Sequence, residues 1–394
     1  MIKQAVILCG GLGTRLGHLT KRVPKPMIMV AGKPFLEHLI IQLKENGIKK
    51  ILLLVGFKKE KIINYFGNGE KWKVKIEYSY NPPECDTGYR LFFIKKKIKE
   101  DFLLMYCDNY CSLNLSKIYN FFKKKKSLAT FVLVKKTPGN VKCTANSNLV
   151  YSTKRTKNRH YVEIGYMFAK KNFLNTLFNK NLNLSYYLKK ISNKKKISGF
   201  ITCNNYLSIS DLVRLKEARK FFKKKRFILI DRDGVINKKN PNFYYVRNVK
   251  ELFFNEKLIS VLQKFPNYKF ICITNQAGIA TGEVQKGNLN KINSKIKNYL
   301  KKKGINLIKF YISEHHYNSD SFFRKPNPGN FIKAAKEYKI LLDKTFYIGD
   351  DVRDVEAAYR ANTKCFYIGD KKKINKKFNN IISGNLKEAL LRYY

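Results

Sequence analysis

Short apolar runs alternate with longer, lysine-rich amphipathic stretches along the whole chain. The apolar runs have the length of strands, and the stretches between them are long enough to form helices. This alternation is typical of βα units that build a mostly parallel sheet. It occurs once in each half of the chain and therefore predicts two α/β domains.

The predicted strands form two groups with a helical segment between them. They cover residues 5–8, 51–55, 102–106, 130–134 and 165–168 in the first half, and 227–230, 269–273, 345–348 and 365–368 in the second. Residues 210–225 predict a helix that is capped by Ser210 or Asp211 and ends in a basic run. We therefore expect domains at residues 1–220 and 226–394, each a Rossmann-like sheet flanked by helices.

Composition adds a strong positive charge to this picture. The 394 residues include 80 Lys and Arg against 28 Asp and Glu, which gives a formal charge of +52. The lysines are scattered in short runs without an arginine-rich arm or a base-stacking motif, so we expect no nucleic-acid partner. A positive surface would still attract phosphorylated substrates.

The cysteines and the start of the chain bear on the compartment. The eight cysteines are dispersed without CxxC spacing, which indicates reduced core thiols. A strand begins within about five residues of the start, leaving no room for a signal peptide, and no run approaches the ~20 apolar residues of a membrane span. We expect a cytoplasmic protein without membrane contact, whose oligomeric state the sequence leaves open.

The first predicted strand runs into a glycine-rich loop, Gly10-Gly11-Leu12-Gly13-Thr14-Arg15-Leu16. Missing side chains let backbone N–H groups approach a triphosphate, although a simple turn into a helix also needs glycine. Further on, Pro24-Lys25-Pro26 fixes a lysine between two prolines. Because the prolines lock φ, they lower the entropy cost of holding the Lys25 ammonium beside a phosphate.

The glycine loop and the PKP motif together resemble the sugar-phosphate nucleotidyltransferase family, from residue 1 to about 215. The resemblance implies a nucleoside triphosphate site formed by Gly10, Gly11, Gly13, Thr14 and Arg15. Lys25 would stabilise the α-phosphate under attack. The implied reaction is in-line displacement at phosphorus, in which a sugar 1-phosphate attacks and pyrophosphate leaves.

Asp108 follows the predicted strand at 102–106 and matches the metal-binding aspartate of this family. It would hold Mg²⁺ that bridges phosphates; the alternative is a loop residue that caps the next helix. In the family, a second metal-binding aspartate lies near the domain's end, where this chain has Ser208. Either Asp211 or substrate phosphates complete the metal shell, or the transferase is impaired.

Two further segments resemble the family's substrate contacts. Thr87 and Gly88 match a segment that contacts the base and the sugar, although neighbouring residues depart from its pattern. Lys154 and Glu163 resemble a lysine for the sugar phosphate and a carboxylate for sugar hydroxyls. A solvated surface lysine is the alternative for Lys154.

In the second half, four motifs follow predicted strands or lie between them. Asp231 and Asp233 come directly after the strand at 227–230, and alternation along a strand sends residues i and i+2 to the same side. One carboxylate can attack phosphorus while the other handles the proton of the leaving alcohol. The remaining motifs are Thr274-Asn275-Gln276, Arg324-Lys325-Pro326 and Gly349-Asp350-Asp351 with Asp354.

This order of motifs resembles the haloacid dehalogenase-like superfamily. The resemblance implies that Asp231 is the nucleophile, that Asp233 is the general acid and then the base, and that Thr274 and Lys325 bind phosphoryl oxygens. Asp231, the Asp233 carbonyl and Asp350 would hold Mg²⁺. About thirty residues separate Asn237 from the next strand, so we expect only a minimal cap and an open site.

Within that superfamily, the motif strings resemble the subgroup of heptose-bisphosphate and histidinol-phosphate phosphatases. The resemblance implies substrate-binding roles for Asn275, Gln276 and Arg324. The subgroup often carries a structural zinc, but this chain has Ser or Phe at the cysteine positions. Two adjacent histidines without thiolates make a poor tetrahedral site, so we expect no zinc and place His315 and His316 at the pocket's edge.

The two resemblances together imply consecutive steps of nucleotide-sugar synthesis. Removal of the 7-phosphate from D-glycero-D-manno-heptose 1,7-bisphosphate would give heptose 1-phosphate, to which the first domain would transfer GMP from GTP. Three alternatives stay open: another sugar or nucleotide, one catalytically silent domain, or a nucleic-acid 3′-phosphatase.

Overall fold

The computed structural model describes residues 2–194, 196–223, 226–239, 245–375, 377–382 and 384–392. The chain divides into two compact units, Met1–Phe222 and Lys223–Tyr394. Each unit has its own buried apolar clusters against its own sheet. No helix in the described ranges is long and apolar enough to cross a lipid bilayer.

Within the described residues the first unit contains thirteen strands and seven α-helices. The strands are β1 (Gln4–Cys9), β2 (Met29–Val30), β3 (Lys33–Pro34), β4 (Lys50–Val55), β5 (Lys75–Tyr80), β6 (Phe102–Tyr106), β7 (Asn109–Cys111), β8 (Ala129–Lys135), β9 (Gly139–Cys143), β10 (Leu149–Thr156), β11 (Tyr161–Ala169), β12 (Ile197–Thr202) and β13 (Tyr206–Ser208). The helices are α1 (His18–Arg22), α2 (Phe35–Glu45), α3 (Lys59–Phe66), α4 (Thr87–Phe93), α5 (Leu115–Lys125), α6 (Leu184–Ser192) and α7 (Leu212–Phe222).

The main sheet of the first unit has the order β10-β9-β11-β6-β1-β4-β5, with β8 beside β11 and β12 beside β8. Strands β6, β1, β4 and β5 are parallel to their neighbours in this series, whereas β11 is antiparallel to β6 and β8. Parallel strands covered on both faces appear as continuous apolar runs, which explains why β1, β4 and β6 are predicted from the sequence. β5 and β10 are among the strands that are not predicted, because exposed positions interrupt their apolar residues.

The helix predicted at the domain boundary is α7, which begins at Leu212 and ends at Phe222. Oδ1 of Asp211 accepts a hydrogen bond from the N–H of Arg214 at 2.9 Å, which is the geometry of an N-terminal cap. Residues 224–225, the predicted end of this helix, lie outside the described residues.

The second unit has one parallel sheet with helices packed on both of its faces. Its described elements are strands β14 (Phe227–Ile230), β15 (Lys269–Asn275), β16 (Asn306–Ser313), β17 (Phe346–Gly349), β18 (Lys364–Tyr367) and β19 (Ile381–Ile382), and helices α8 (Glu256–Leu262), α9 (Lys286–Lys302), α10 (Gly329–Tyr338), α11 (Val352–Ala361) and α12 (Leu386–Arg392). The strand order is β16-β15-β14-β17-β18-β19, with every neighbouring pair parallel.

This order is that of a doubly wound sheet, in which the direction of winding reverses between β14 and β17. Ligands bind such sheets at the carboxyl ends of the strands beside this reversal. The predicted fold class, α/β with largely parallel sheets in both halves, is confirmed.

Candidate active sites

The glycine loop of the first unit begins where β1 ends. Gly10 and Gly11 follow the strand directly, and Gly13 leads into a 3-10 turn formed by Thr14–Leu16. Gly11, Thr14 and Arg15 are exposed. An exposed turn at the carboxyl edge of parallel strands offers backbone N–H groups to an anionic ligand.

Lys25 and Asp108 form an ion pair beside this loop. Lys25 begins the 3-10 turn Lys25–Met27, and Asp108 lies two residues beyond β6, the strand that pairs with β1. Both side chains are largely buried, with exposed fractions of 14% and 16%. The structure therefore brings together the predicted catalytic cation and the predicted metal-binding carboxylate.

The pairing of β13 with β7 places Ser208 opposite Asn109, one residue beyond Asp108. The N–H of Ile209 donates to the carbonyl oxygen of Asp108 at 2.9 Å. Ser208 is buried, and its hydroxyl accepts the N–H of Ser210 at 3.2 Å. The residue at the expected second metal position thus lies next to Asp108, but it offers a hydroxyl instead of a carboxylate.

Asp211, the alternative metal ligand, is engaged as the cap of α7. Its carboxylate lies 3.4 Å from the guanidinium of Arg214, in addition to the capping hydrogen bond. The hydrogen bond from the Arg214 backbone lowers the pKa of Asp211, and the charges of Arg214 and Arg15 act in the same direction. Asp211 already has a cation as its partner and needs no metal to compensate its charge.

Glu163 lies on β11, and its carboxylate accepts the N–H of Gly165 at 2.9 Å. Burial raises the pKa of Glu163 more than this hydrogen bond lowers it; the charge of Asp108 adds to the rise and that of Arg155 opposes it. Lys154 is exposed on β10. The basic residue whose charge acts on Glu163 is therefore Arg155, the neighbour of the lysine that the sequence analysis selects.

Thr87 and Gly88 begin α4 and hold the segment that precedes α6. Oγ1 of Thr87 accepts the N–H of Leu184 at 2.9 Å, and the N–H of Gly88 donates to the carbonyl of Leu182 at 3.1 Å. These contacts fix the start of α4. Contact of Thr87 and Gly88 with a base or a sugar stays a prediction.

Asn81, directly after β5, is a polar residue that the sequence analysis does not select. It is buried, and its side-chain oxygen accepts no hydrogen bond from the described residues. A buried acceptor without a partner is costly, so this oxygen is suited to a donor group of a ligand. The sequence indicates Asn81 only weakly as a site residue, because the strand that it follows, β5, is difficult to recognise.

In the second unit, Asp231 and Asp350 follow the adjacent strands β14 and β17. The N–H of Asp231 donates to the carbonyl of Ile348 at 2.9 Å. At Gly234, where φ is 82°, a Cβ atom would lie 2.1 Å from a carboxylate oxygen of Asp350. Only glycine allows this approach without displacing Asp350. Gly234, which follows Asp233, therefore lets the loop after β14 lie against the loop after β17.

The ammonium of Lys325 connects the buried acidic groups. It lies 2.9 Å from Oδ2 of Asp231 and 2.7 Å from Oδ1 of Asp354, and it donates to the hydroxyl of Tyr347 at 2.8 Å. Burial lowers the pKa of Lys325, but the two carboxylates outweigh burial and raise it. Asn275 holds the backbone of Lys325 through two hydrogen bonds of 3.0 Å.

Asp233 is held by its neighbours in the ionised form. Nε and Nη2 of Arg232 donate to its two oxygens at 3.1 and 2.9 Å, and the side-chain amides of Gln276 and Asn237 donate at 2.7 and 2.9 Å. Burial raises the pKa of Asp233, but the charge of the fully buried Arg232 and these hydrogen bonds leave it below its usual value. An ionised carboxylate suits the role of a proton acceptor.

Gln276 and Thr274 complete the inner surface of this site. Both side chains are buried, and the amide of Gln276 donates to the hydroxyl of Thr274 at 3.0 Å as well as to Asp233. Gln276 therefore positions both the predicted acid–base residue and the predicted phosphoryl-binding hydroxyl.

Three carboxylates lie close together in this site. Asp231, Asp350 and Asp354 offer oxygens within 4.8 Å of one another, the one such group found among the described residues. Oδ1 of Asp350 is buried and accepts no hydrogen bond from the described residues, while its Oδ2 pairs with Lys239. Burial raises the pKa of Asp231, which a bound cation would counteract. Oxygen ligands in this arrangement fit a divalent cation such as Mg²⁺.

A cleft of about 630 Å³ opens over these residues. Besides the aspartates and Lys325, its lining includes Lys239, Tyr245, Glu283, Tyr317, Arg324 and Arg353. Arg324 is 7% exposed and donates to the carbonyl of His315 at 3.3 Å. Burial and the charge of Arg353 lower the pKa of Arg324, so two guanidinium groups act on each other in the same cleft.

The two histidines lie in the turn after β16. Nδ1 of His316 accepts the N–H of Asn318 at 3.2 Å, and its ring packs against Tyr317 with a centroid distance of 4.0 Å. The backbone of His315 holds Arg324, and Tyr317 lines the cleft. This turn therefore reaches the cleft through its backbone and an aromatic ring.

Family models match both halves of the chain. The model described as nucleotidyl transferase matches residues 4–178. The model described as polynucleotide kinase 3 phosphatase matches residues 226–382.

Three curated proteins illustrate the similarity. The bifunctional protein GlmU of Methanococcus vannielii is 45% identical over 118 residues, which are 30% of this chain and 27% of that protein. The D-glycero-alpha-D-manno-heptose 1-phosphate guanylyltransferase of Campylobacter jejuni is 41% identical over 29% of this chain and 52% of that protein. The D-glycero-alpha-D-manno-heptose-1,7-bisphosphate 7-phosphatase of Photorhabdus laumondii is 32% identical over 35% of this chain and 80% of that protein.

The chain thus spans about a quarter of GlmU and about half of the guanylyltransferase, but most of the phosphatase. Among solved structures, a Bacillus anthracis protein described as a glucose-1-phosphate thymidylyltransferase, in complex with sucrose, covers 57% of this chain and 96% of its own, with a TM-score of 0.53. Its sequence identity is 17%, so this likeness concerns the fold alone.

Proposed function

Since the chain carries a nucleotidyl transferase domain in its first half and belongs in its second half to the family of the heptose-1,7-bisphosphate 7-phosphatases, we propose a bifunctional enzyme of nucleotide-sugar synthesis. The phosphatase domain, residues 226–394, removes the 7-phosphate of D-glycero-D-manno-heptose 1,7-bisphosphate. The transferase domain, residues 1–220, transfers GMP from GTP to the resulting heptose 1-phosphate. The eight free cysteines support a reducing, cytoplasmic location.

The observation that carries this proposal is the arrangement of Asp231, Lys325 and Asp350 at the strand ends of the second unit. Oδ2 of Asp231 lies 2.9 Å from Lys325, and Asp231 is grouped with Asp350, whose Oδ1 lacks a hydrogen-bond partner among the described residues. Mg²⁺ held by Asp231 and Asp350 would neutralise negative charge, so that a carboxylate can approach a phosphate. Arg324 in the same cleft suits a second phosphate, because its guanidinium donates only to the carbonyl of His315 among the described residues, whereas Arg353 is paired with Asp351.

Different residues of this chain carry out the steps of phosphate transfer. Asp231 attacks phosphorus through a carboxylate oxygen and forms an aspartyl-phosphate, while the sugar oxygen leaves. Lys325 and Thr274 bind the phosphoryl oxygens. Because Arg232, Gln276 and Asn237 keep Asp233 ionised before the reaction, Asp233 must first take up a proton from solvent, which it delivers to the leaving oxygen. It then takes a proton from the attacking water, and Arg232 and Gln276 orient its carboxylate.

In the transferase domain, Lys25 and Asp108 form an ion pair beside the glycine loop. Asp108 would hold Mg²⁺, which would supply positive charge for the nucleotide phosphates, and the Lys25 ammonium would then be available to stabilise the α-phosphate. Because Ser208 offers no carboxylate and Asp211 caps α7, Asp108 would be the protein's carboxylate ligand, and substrate phosphates would have to supply further ligands.

The test incubates the purified full chain with heptose 1,7-bisphosphate, Mg²⁺ and each nucleoside triphosphate in turn, and follows phosphate and pyrophosphate release separately. Asp231→Asn should abolish phosphate release and leave nucleotide transfer to heptose 1-phosphate unchanged. Lys25→Ala should have the opposite effect. Phosphate release by Asp231→Asn would show that Asp231 is not the nucleophile, and pyrophosphate release by Lys25→Ala at the normal rate would show that the first site is misassigned.

A second candidate function for the C-terminal domain is nucleic-acid 3′-phosphatase activity. The description of the matched family model and the formal charge of +52 favour it. Salt-sensitive turnover of 3′-phosphorylated oligonucleotides, together with no turnover of sugar bisphosphates, would establish this alternative. The same substrate panel identifies another sugar or nucleotide, or a silent domain.

A further inference from the structure

Arg90 lies on α4 and is 2% exposed. Its guanidinium donates only to backbone carbonyls among the described residues. Nη2 donates to Gly10 at 3.3 Å and to Pro82 at 2.7 Å, Nη1 donates to Val55 and Asn81 at 3.0 Å each, and Nε donates to Cys85 at 2.9 Å.

These carbonyls belong to three separate segments of the first unit: the glycine loop after β1, the end of β4, and residues 81–85 before α4. One rigid guanidinium therefore fixes the positions of all three segments relative to one another. A Cβ atom at Gly10 would lie 2.2 Å from Nη1 of Arg90, and one at Gly56 would lie 2.9 Å from it. A side chain at Gly10 would displace the guanidinium, so the first glycine of the loop is required by Arg90.

The charge of Arg90 is poorly compensated. All five acceptors are neutral, and no carboxylate of the described residues forms an ion pair with it; the charge of Glu84 acts on it more weakly than burial does. Burying a cation among dipoles alone carries a free-energy cost for the fold. An anion bound at the adjacent glycine loop would supply the missing compensation.

We propose that Arg90 is a positioning residue of the nucleotide site, which holds the glycine loop against residues 81–85 and supplies a buried positive charge that favours a phosphate-bearing ligand. The inference rests on the proposed transferase function of the first domain. Arg90 acts through the loop and requires no direct contact with the nucleotide.

The test compares the full-length wild type with Arg90→Gln, Arg90→Lys and the control Lys124→Gln, which removes the same charge from an exposed position on α5. Equilibrium titrations with GTP and with uncharged guanosine separate the effect of charge from that of shape. Arg90→Gln should weaken GTP binding about tenfold or more and guanosine binding less, Arg90→Lys should lie between it and the wild type, and the control should not change. The KM for GTP should rise with the dissociation constant, while phosphate release from heptose 1,7-bisphosphate stays normal.

Wild-type affinity of Arg90→Gln for GTP would overturn the inference, as would an equal loss for GTP and guanosine. If Arg90→Gln does not fold, Arg90→Lys decides. This variant keeps the charge but loses the fork geometry, so it must still bind GTP more tightly than guanosine, by a smaller ratio than the wild type. If the wild type binds GTP but releases no pyrophosphate with any sugar phosphate, the proposed transferase function fails while the binding data still decide on Arg90. If the wild type binds no nucleotide, both fail.

Discussion

The ammonium of Lys325 lies 2.7 Å from Oδ1 of Asp354, which is closer than its 2.9 Å distance to Asp231. Oδ2 of Asp354 accepts the N–H groups of Asp350 and Asp351 at 3.0 Å each. One fully buried carboxylate therefore connects the lysine of one motif with the loop of another. Since both of its oxygens are occupied, Asp354 positions the candidate metal ligands instead of acting as one of them.

Replacement of Asp354 should therefore impair both stability and activity. In Asp354→Asn the amide N–H₂ must face either the Lys325 ammonium or the two backbone N–H groups, all of which are donors. We expect a loss of about 3 kcal/mol in the free energy of unfolding and at least about a tenfold fall in phosphate release. Urea unfolding and phosphate assays measure the two effects.

The control is Asp370→Asn, at an exposed aspartate whose Oδ1 accepts the N–H of Lys372 at 3.0 Å. The side-chain oxygen of Asn can accept the same hydrogen bond, so the expected loss is under about 0.5 kcal/mol. Equal destabilisation by the two substitutions would contradict the role assigned to Asp354.

Ser208→Asp should strengthen metal binding in the transferase domain. The new carboxylate would lie across the β13–β7 pair from Asn109 and beside Asp108. Two neighbouring carboxylates repel each other without a cation and bind a divalent cation more tightly. The Mg²⁺ concentration for half-maximal pyrophosphate release should fall by about tenfold, and the melting temperature should depend on Mg²⁺ more than in the wild type.

Ser208→Asn is the matched variant, because it adds the same volume without a charge. Its Mg²⁺ requirement should equal that of the wild type. An unchanged Mg²⁺ requirement in Ser208→Asp would mean that this position does not face the metal.

Stability should depend on pH through Glu163. Burial raises the pKa of Glu163 in the folded state. Its contribution to the free energy of unfolding is therefore fully present below the unfolded pKa of about 4.3 and is lost as pH rises through the folded pKa. Glu163→Gln stays neutral and keeps an acceptor for the N–H of Gly165. It should be more stable than the wild type near pH 7, and the difference should disappear toward pH 4.

Urea unfolding of the metal-free protein at several pH values between about 4 and 8 measures this difference. A stability gain that is independent of pH would show that packing, and not ionisation, is responsible. Pyrophosphate release by Glu163→Gln tests separately whether the carboxylate binds the sugar.

Arg324→Lys should affect substrates with two phosphates. The buried guanidinium of Arg324 is held by the carbonyl of His315, and a lysine cannot reproduce its planar, two-pronged donor geometry. We expect the KM for heptose 1,7-bisphosphate to rise about tenfold, with kcat for p-nitrophenyl phosphate within about twofold of the wild-type value.

Arg360→Lys serves as the control, because Arg360 pairs with Glu356 on the surface of α11. Its KM should stay at the wild-type value. If Arg324→Lys slows both substrates equally, Arg324 supports the reacting phosphate and not a second one.

The sequence by itself determined the two-domain α/β architecture and most of the chemical groups. Parallel strands buried on both faces leave continuous apolar runs, and the motifs of Asp108, Asp231 and Asp350 follow such runs directly. Adjacent parallel strands end at one edge, so residues distant in the chain could be expected to meet. Strands such as β5, whose exposed positions interrupt the apolar pattern, gave no comparable signal.

Only the tertiary structure decided how these groups are held. Arg90 binds backbone carbonyls, which every residue type possesses, so no spacing in the sequence reveals its partners. In the sequence, Asp354 is one acidic residue of a motif among several, and only its distance to Lys325 reveals its positioning role. The pairing of β13 with β7 brings Ser208 to Asp108 across about a hundred residues. In each case the partner of a buried polar group is set by packing, because burial requires that a partner exist but does not specify which one.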